Sequence, residues 1–216
     1  MQDQTDASMV GTLRTLETPR LLLRPWRDDD REPFAAMSSD QDVMRYLLPF
    51  ASPGAVTAWI ERQMSHLRQH GFCFWALESK QTGEFVGATG LHRLSYDAHF
   101  TPAVEVGWRL ARKHWGHGYA VEAATKALQF GFEYLGLLEI VANTAPANVN
   151  SQKVMTRLGM THEPRDDFDH PLVPKGNPLR TQVLYRMSRG AWLTRAGWSE
   201  ANNSPGGAGE GNRTLV

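Results

Sequence analysis

The chain has one cysteine, Cys73, among 216 residues, so no intrachain disulfide can form. Cys73 lies in "GFCFWALE", a strand-like apolar run, and reads as a core thiol rather than a nucleophile. An excess of either charge is also missing. Lys and Arg number 23, Asp and Glu 23, and the formal net charge is zero. With no basic block anywhere, nucleic acid is not expected as a partner. No stretch approaches the roughly 18 apolar residues of a membrane span, and the opening "MQDQTDASMVGT" has no apolar signal core. The expectation is a soluble, cytoplasmic protein that binds neither membrane nor nucleic acid.

What is present reads as one domain with trimmings. Residues 1–14 are expected to be a flexible arm, 15–194 the folded domain and 195–216, rich in Gly, Ser and Asn, a disordered tail. "LLLRPW" (21–26) reads as a strand, and "DDDREPFAAM" (28–37) as a helix with acids in its first turn. "SPGAVTAWIERQMSHLRQHG" (52–71) is a clearer helix, capped by Ser52, with Pro53 at its first position and Gly71 at its end. Val56, Ile60, Met64 and Leu67 share one of its faces. Strands follow at 72–78 and 83–94, joined by the turn "SKQTG". In "AVEVGWRL" (103–110), Val104, Val106, Trp108 and Leu110 alternate with Ala103, Glu105, Gly107 and Arg109. A helix over about 119–135, a strand "EIVANT" (139–144), a short helix at 150–159 and a strand "TQVLYRMS" (181–188) complete a mixed α/β pattern.

The most informative segment is "RKHWGHG" (112–118), which joins a strand end to a helix start. Helix N-termini carry unpaired N–H groups and the positive end of a dipole. Glycines let those groups wrap a phosphate without Cβ obstruction, and Lys113 adds a cation. Taken alone the segment reads equally well as a tight turn. It matches neither GxxxxGK[ST] nor GxGxxG. His114 and His117 lack a carboxylate between them and a nearby cysteine, so no metal is expected.

"VEVGWRLARKHWGHGYAVEAATKALQFGFEYLGL", then "ANTAPANVNSQKVMTRLGM", together with "LETPRLLLRPW" at 16–26, resembles the GNAT-fold N-acetyltransferases of the RimJ/RimL-like branch. The resemblance spans about residues 16–190. The loop is similar to the family's [Q/R]xxGx[G/A] acetyl-CoA motif as Lys113-His114-Trp115-Gly116-His117-Gly118, with Lys departing from the usual first residue. It implies a central mixed, twisted sheet of six to seven strands flanked by about four helices. It also implies acetyl-CoA as co-substrate, an amine as acceptor, and a monomer or homodimer.

Residue by residue, the resemblance implies that N–H groups from about His114 through Tyr119 to Ala120 grip the CoA diphosphate. Val106, Trp108 and Leu110 flank the pantetheine arm, in a gap where their strand splays from "EIVANT". Asn148 matches a residue that meets the pantetheine amides, and Ser151 one that protonates the leaving thiolate, unless Ser151 is simply a helix N-cap. A tyrosine that many relatives carry seven positions after the Asn is here Met155. Glu105 is the candidate base for the acceptor ammonium, with an ion pair to Arg93 or Arg109 as the alternative role. His92 is the second candidate base, with a packed, pocket-shaping histidine as its alternative. The tryptophans Trp59, Trp75 and Trp108 read as core or pocket walls.

Two other readings stay open: a CoA-binding regulatory domain without turnover, and a transferase of longer acyl groups. The acceptor is unnamed by the sequence. Residues 47–56 and 166–180 are the expected specificity segments, and Asp166, Asp167 and Asp169 point to a cationic acceptor or to a solvated loop.

Overall fold

The structure is a computed structural model that describes residues 14–195. The arm and the tail expected at the two ends lie almost wholly outside those residues. Arg14 itself is anchored: its guanidinium stacks 3.9 Å from the Tyr134 ring centre and donates to Tyr134 Oη at 2.7 Å.

The strands are β1 (Leu16–Glu17), β2 (Leu21–Arg24), β3 (Phe74–Ser79), β4 (Phe85–Arg93), β5 (Val104–Leu110), β6 (Glu139–Thr144), β7 (Thr161–His162), β8 (Phe168–Asp169) and β9 (Thr181–Ser188). They form one sheet in the order β1-β2-β3-β4-β5-β6-β9-β7, with β8 also on β9. The pair β5–β6 is parallel and the other pairs are antiparallel. The helices are α1 (Arg31–Ser39), α2 (Gln41–Met44), α3 (Pro53–His70), α4 (Tyr119–Gln129), α5 (Val149–Leu158) and α6 (Arg189–Arg195).

The expected long strands and helices are all present, with shifted ends. Asp28–Asp30 is a 3-10 turn ahead of α1. The strand expected from residue 72 starts at Phe74. The helix expected through residue 135 stays α-helical only to Gln129, and Phe130–Tyr134 continues as a π-helical turn that buries Phe130 and Phe132 together. The short strands β1, β7 and β8 and the helices α2 and α6 were not anticipated, because two to seven residues carry little periodicity.

Local rules explain the longest helix. Ser52 Oγ accepts from Ala55 N, proline opens the first turn, and Gly71 closes it at φ +78°. Its Val56, Ile60 and Leu67 are buried. The sheet is covered on both faces. The Val104, Val106 and Leu110 face of β5 packs with Ala123, Ala124, Ala127 and Leu128 of α4. Across the sheet, α1 and α3 close over Trp26, Phe34, Ala76 and Ala88. Cys73 is fully buried, and burial pushes its thiol well above the usual range. A buried ion cluster ties β2 to α1: Arg24 donates to both Asp30 oxygens at 2.7 and 2.8 Å and to Glu78 at 2.6 Å. No helix among the described residues is long and apolar enough to cross a membrane.

Candidate active site

β5 and β6 meet in a single parallel bridge, Glu105 opposite Val141, whereas β5 pairs with β4 along its whole length. Beyond Glu105 the two strands part, and the β5 edge from 106 to 110 faces a gap. The sheet is thus open at its middle, with its one parallel pair as the hinge of the opening.

The glycine loop leads from that gap into α4. Gly116 and Gly118 adopt φ +80° and +78°, left-handed backbone that favours glycine. A Cβ on Gly116 would meet nothing within 4 Å, so packing inside the protein does not explain the glycine. Gly118 caps α4 without a side-chain hydrogen bond, and the first intrahelical bond runs from Glu122 N to Gly118 O. The N–H groups of Tyr119, Ala120 and Val121 therefore have no partner within the helix. The expected cradle is shifted at its start. His114 N and Trp115 N donate to Ala111 O and Arg112 O in a 3-10 turn, so the free groups begin at Gly116.

A cleft of about 630 Å³ runs along this loop and the open strand edge, lined among others by Trp108, Leu110, Trp115, Tyr119, Asn148 and Ser151. Trp115 is held at the rim by a 2.8 Å bond from Nε1 to Leu110 O. His114, Gly116, Gly118 and Ala120 also reach the cleft, but Val106, Lys113 and His117 do not. The Val106 side chain is 2 % exposed and belongs to the core beneath α4. Lys113 turns away to Glu84 at 3.1 Å and borders a cavity of about 700 Å³ elsewhere. That cavity is slightly larger, but its central charges Arg24, Asp30 and Glu78 already satisfy one another. The cleft carries other cations, among them Lys153 and Arg157, four apart on α5. Their i, i+4 spacing was the sequence signal for them.

Asn148 rather than Ser151 caps α5: its Oδ1 accepts from Ser151 N at 3.3 Å. Its Nδ2 donates to Thr144 Oγ1 at 2.9 Å and to Ser151 Oγ at 3.1 Å. The amide's two donors are thus engaged inside the protein, and its Oδ1 accepts a single bond. Ser151 Oγ accepts one bond and keeps its proton for donation into the cleft. Met155 is buried.

On the other side of the opening, Glu105 accepts from Asn143 Nδ2 at 3.3 Å. Neither Arg93 nor Arg109 pairs with it, so desolvation dominates and raises its pKa from 4.5 to about 7, with the Asn143 bond opposing. His92 sits directly opposite Glu105 in the β4–β5 register and shares its face. Its ring stacks between His66 at 4.1 Å and Phe74 at 5.5 Å, and burial lowers its pKa. Its ring thereby lines the Glu105 side of the opening. Tyr96, from the loop after β4, escaped the sequence reading. Its Oη is buried without a hydrogen bond of normal geometry; burial and then the Glu105 charge raise its pKa, and the nearby Asn143 amide opposes the rise. The three acids in the 166–180 segment are engaged: Asp166 by Arg186 at 2.6 Å, Asp167 by His162 at 2.7 Å, Asp169 by Arg180 at 3.1 Å. Each is thus held by a basic side chain of its own fold, although Asp169 remains largely exposed.

Residues 20–161 match the model of the acetyltransferase (GNAT) domain. The chain belongs to the GNAT acetyltransferase family. It is 32 % identical over 146 residues to the uncharacterised protein YkkB of Bacillus subtilis (strain 168), covering 67 % of this chain and 84 % of that one. It is 30 % identical over 201 residues to FsC-acetyl coenzyme A-N(2)-transacetylase of Aspergillus fumigatus, covering 87 % and 84 %. Its fold matches a crystal structure of a GNAT acetyltransferase from Bacillus anthracis with a TM-score of 0.67 at 26 % identity, over 82 % of this chain and 99 % of the other. The mixed sheet is therefore the GNAT sheet, and the family uses acetyl-CoA. The φ-positive glycines, the open space above Gly116, the unpartnered N–H groups and the flanking Lys153 and Arg157 suit a diphosphate.

Proposed function

We propose that this chain is an acetyl-CoA-dependent N-acetyltransferase of the RimJ/RimL-like branch. It transfers the acetyl group by direct attack of a primary amine, carried by a protein N-terminus or a small molecule. The observation that carries this reading is the opening between β5 and β6, with an N–H cradle at one end and a desolvated carboxylate at the other.

Acetyl-CoA, when bound, supplies an acyl group activated as a thioester. The N–H groups from Gly116 to Val121, with Lys153 and Arg157, hold the diphosphate. The free edge of β5 from Val106 to Leu110 aligns the pantetheine arm, and Trp115 closes the rim. Glu105 takes a proton from the acceptor ammonium, and a pKa near 7 suits that exchange at neutral pH. A backbone N–H of β5 near Val106 faces the developing negative charge. Ser151 returns a proton to the departing sulfur. Cys73 is buried away from the cleft and takes no part.

The test is calorimetric titration of the purified protein with acetyl-CoA, dephospho-acetyl-CoA and NAD. Micromolar binding of acetyl-CoA with none of NAD is expected. Absence of acetyl-CoA binding would reduce the loop to a strand-to-helix turn and refute the proposal.

A further inference from the structure

Arg109 occupies the same face of β5 as Glu105, four residues along. It borders the cleft, yet its Nη1 is buried with no hydrogen-bond partner. Three aromatic rings surround the guanidinium instead, with its carbon 5.7 Å from the Phe34 centre, 5.5 Å from Phe50 and 5.7 Å from Trp59. Burial lowers its pKa to about 10, still charged at neutral pH. Ring faces attract a cation but offer no oxygen lone pair, and a partly buried cation with one buried donor and no acceptor in the protein is costly to keep. Glu105 cannot serve: their Cα atoms are roughly 13 Å apart along the strand.

What lies between the two is apolar and flat. Phe34, Trp59, Phe74, His92 and His66 stack in series, at successive centre distances of 4.8, 6.3, 5.5 and 4.1 Å and interplanar angles of 25° or less. Gly107 separates Glu105 from Arg109, and the Phe74 ring lies over it where a Cβ would come within 2.9 Å. The row of rings thus joins a carboxylate that receives a proton to a cation with an unused donor.

We infer that Arg109 forms an anion subsite for the acceptor: the substrate is an amine that also carries a carboxylate, several bonds away, with an apolar spacer along the ring wall. The guanidinium's planar fork suits a carboxylate held by two bonds. The inference rests on the acetyltransferase reading and narrows its acceptor.

The test compares 5-aminopentanoate with pentylamine as acceptors, following thiol release by wild type, R109M and R109K. Calorimetry of 5-aminopentanoate on the CoA-saturated protein runs alongside. Wild type should favour the amino acid at least tenfold in kcat/KM, carried by KM. R109M should lose that preference and the 5-aminopentanoate heat, R109K should fall between, and acetyl-CoA affinity should stay within twofold. If R109M does not fold, the wild-type preference and R109K decide. Equal use of the two amines by wild type, or no binding of 5-aminopentanoate, overturns the subsite while the acetyltransferase reading stands. A loss of acetyl-CoA affinity in R109M would assign the guanidinium to the donor and also overturn it. Failure of wild type to bind acetyl-CoA would remove both readings together.

Discussion

Replacing Glu105 with Gln probes the site through two independent quantities. The folded protein holds this carboxyl at a pKa of about 7 against an ordinary 4.5 because burial strips water from the anion. The folded state therefore keeps the proton over a pH range in which the unfolded chain releases it. Below about 4.5 both states are protonated and the group costs nothing. Between 4.5 and 7 stability falls as pH rises, and above 7 the loss is complete. A shift of this size corresponds to roughly 3 kcal/mol, an upper value because part of the residue reaches solvent. Glutamine has the same shape, accepts the same bond from Asn143, and carries no charge. E105Q should match wild type in stability near pH 4.5 and exceed it at pH 8. For a domain of this size the gain is up to roughly 6–12 °C in melting temperature. The same change removes the base, so turnover at pH 8 should drop by about 10²–10⁴-fold with acetyl-CoA affinity unchanged. Wild-type kcat/KM should show a rise through pH 7 that the variant lacks. Scanning calorimetry at both pH values and steady-state rates measure the pair. A melting difference that does not grow between pH 4.5 and 8 would refute the desolvation argument, and an unaltered rate would refute the role of Glu105 as base.

G118V should weaken acetyl-CoA binding at least tenfold by calorimetry. Its φ of +78° costs a β-branched residue about 1–2 kcal/mol, so the substitution shifts the backbone that carries the N–H cradle. S151A should lower kcat about tenfold or more while leaving α5 folded, since Asn148 is the cap; an unchanged kcat would release Ser151 from proton return. R24M leaves the buried Asp30 without its cation, while Glu78 keeps Arg27, and should cost about 3 kcal/mol in denaturant unfolding. A loss below 1 kcal/mol would show the cluster to be solvated.

How much was legible in the sequence follows from the range of the forces involved. Alternation in 103–110 and the 3.6-residue spacing of 52–71 placed Glu105 opposite Val104 and Val106, and aligned Val56, Ile60 and Leu67. These are properties of neighbours along the chain, read directly from periodicity. The glycines at 116 and 118 announced a backbone that must turn left-handed, again a local matter. The cap of α5 lies beyond that reach: the helix starts at Val149 rather than 150, and Asn148 caps it because its side chain folds back on the first turn.

Lys113 was expected in the phosphate site on sequence proximity, but a 3-10 turn swings it toward Glu84, and Lys153 and Arg157 arrive from another helix. The pKa of Glu105, the buried Tyr96 hydroxyl and the ring cage around Arg109 are likewise absent from any window of sequence. Desolvation depends on what every other element excludes from a point in space. The sequence alone determined the long strands, the long helices and the glycine loop, because they answer to neighbours along the chain. Only the tertiary structure decided which charges are neutralised and which are left for a ligand, because that depends on distances between segments far apart in the chain.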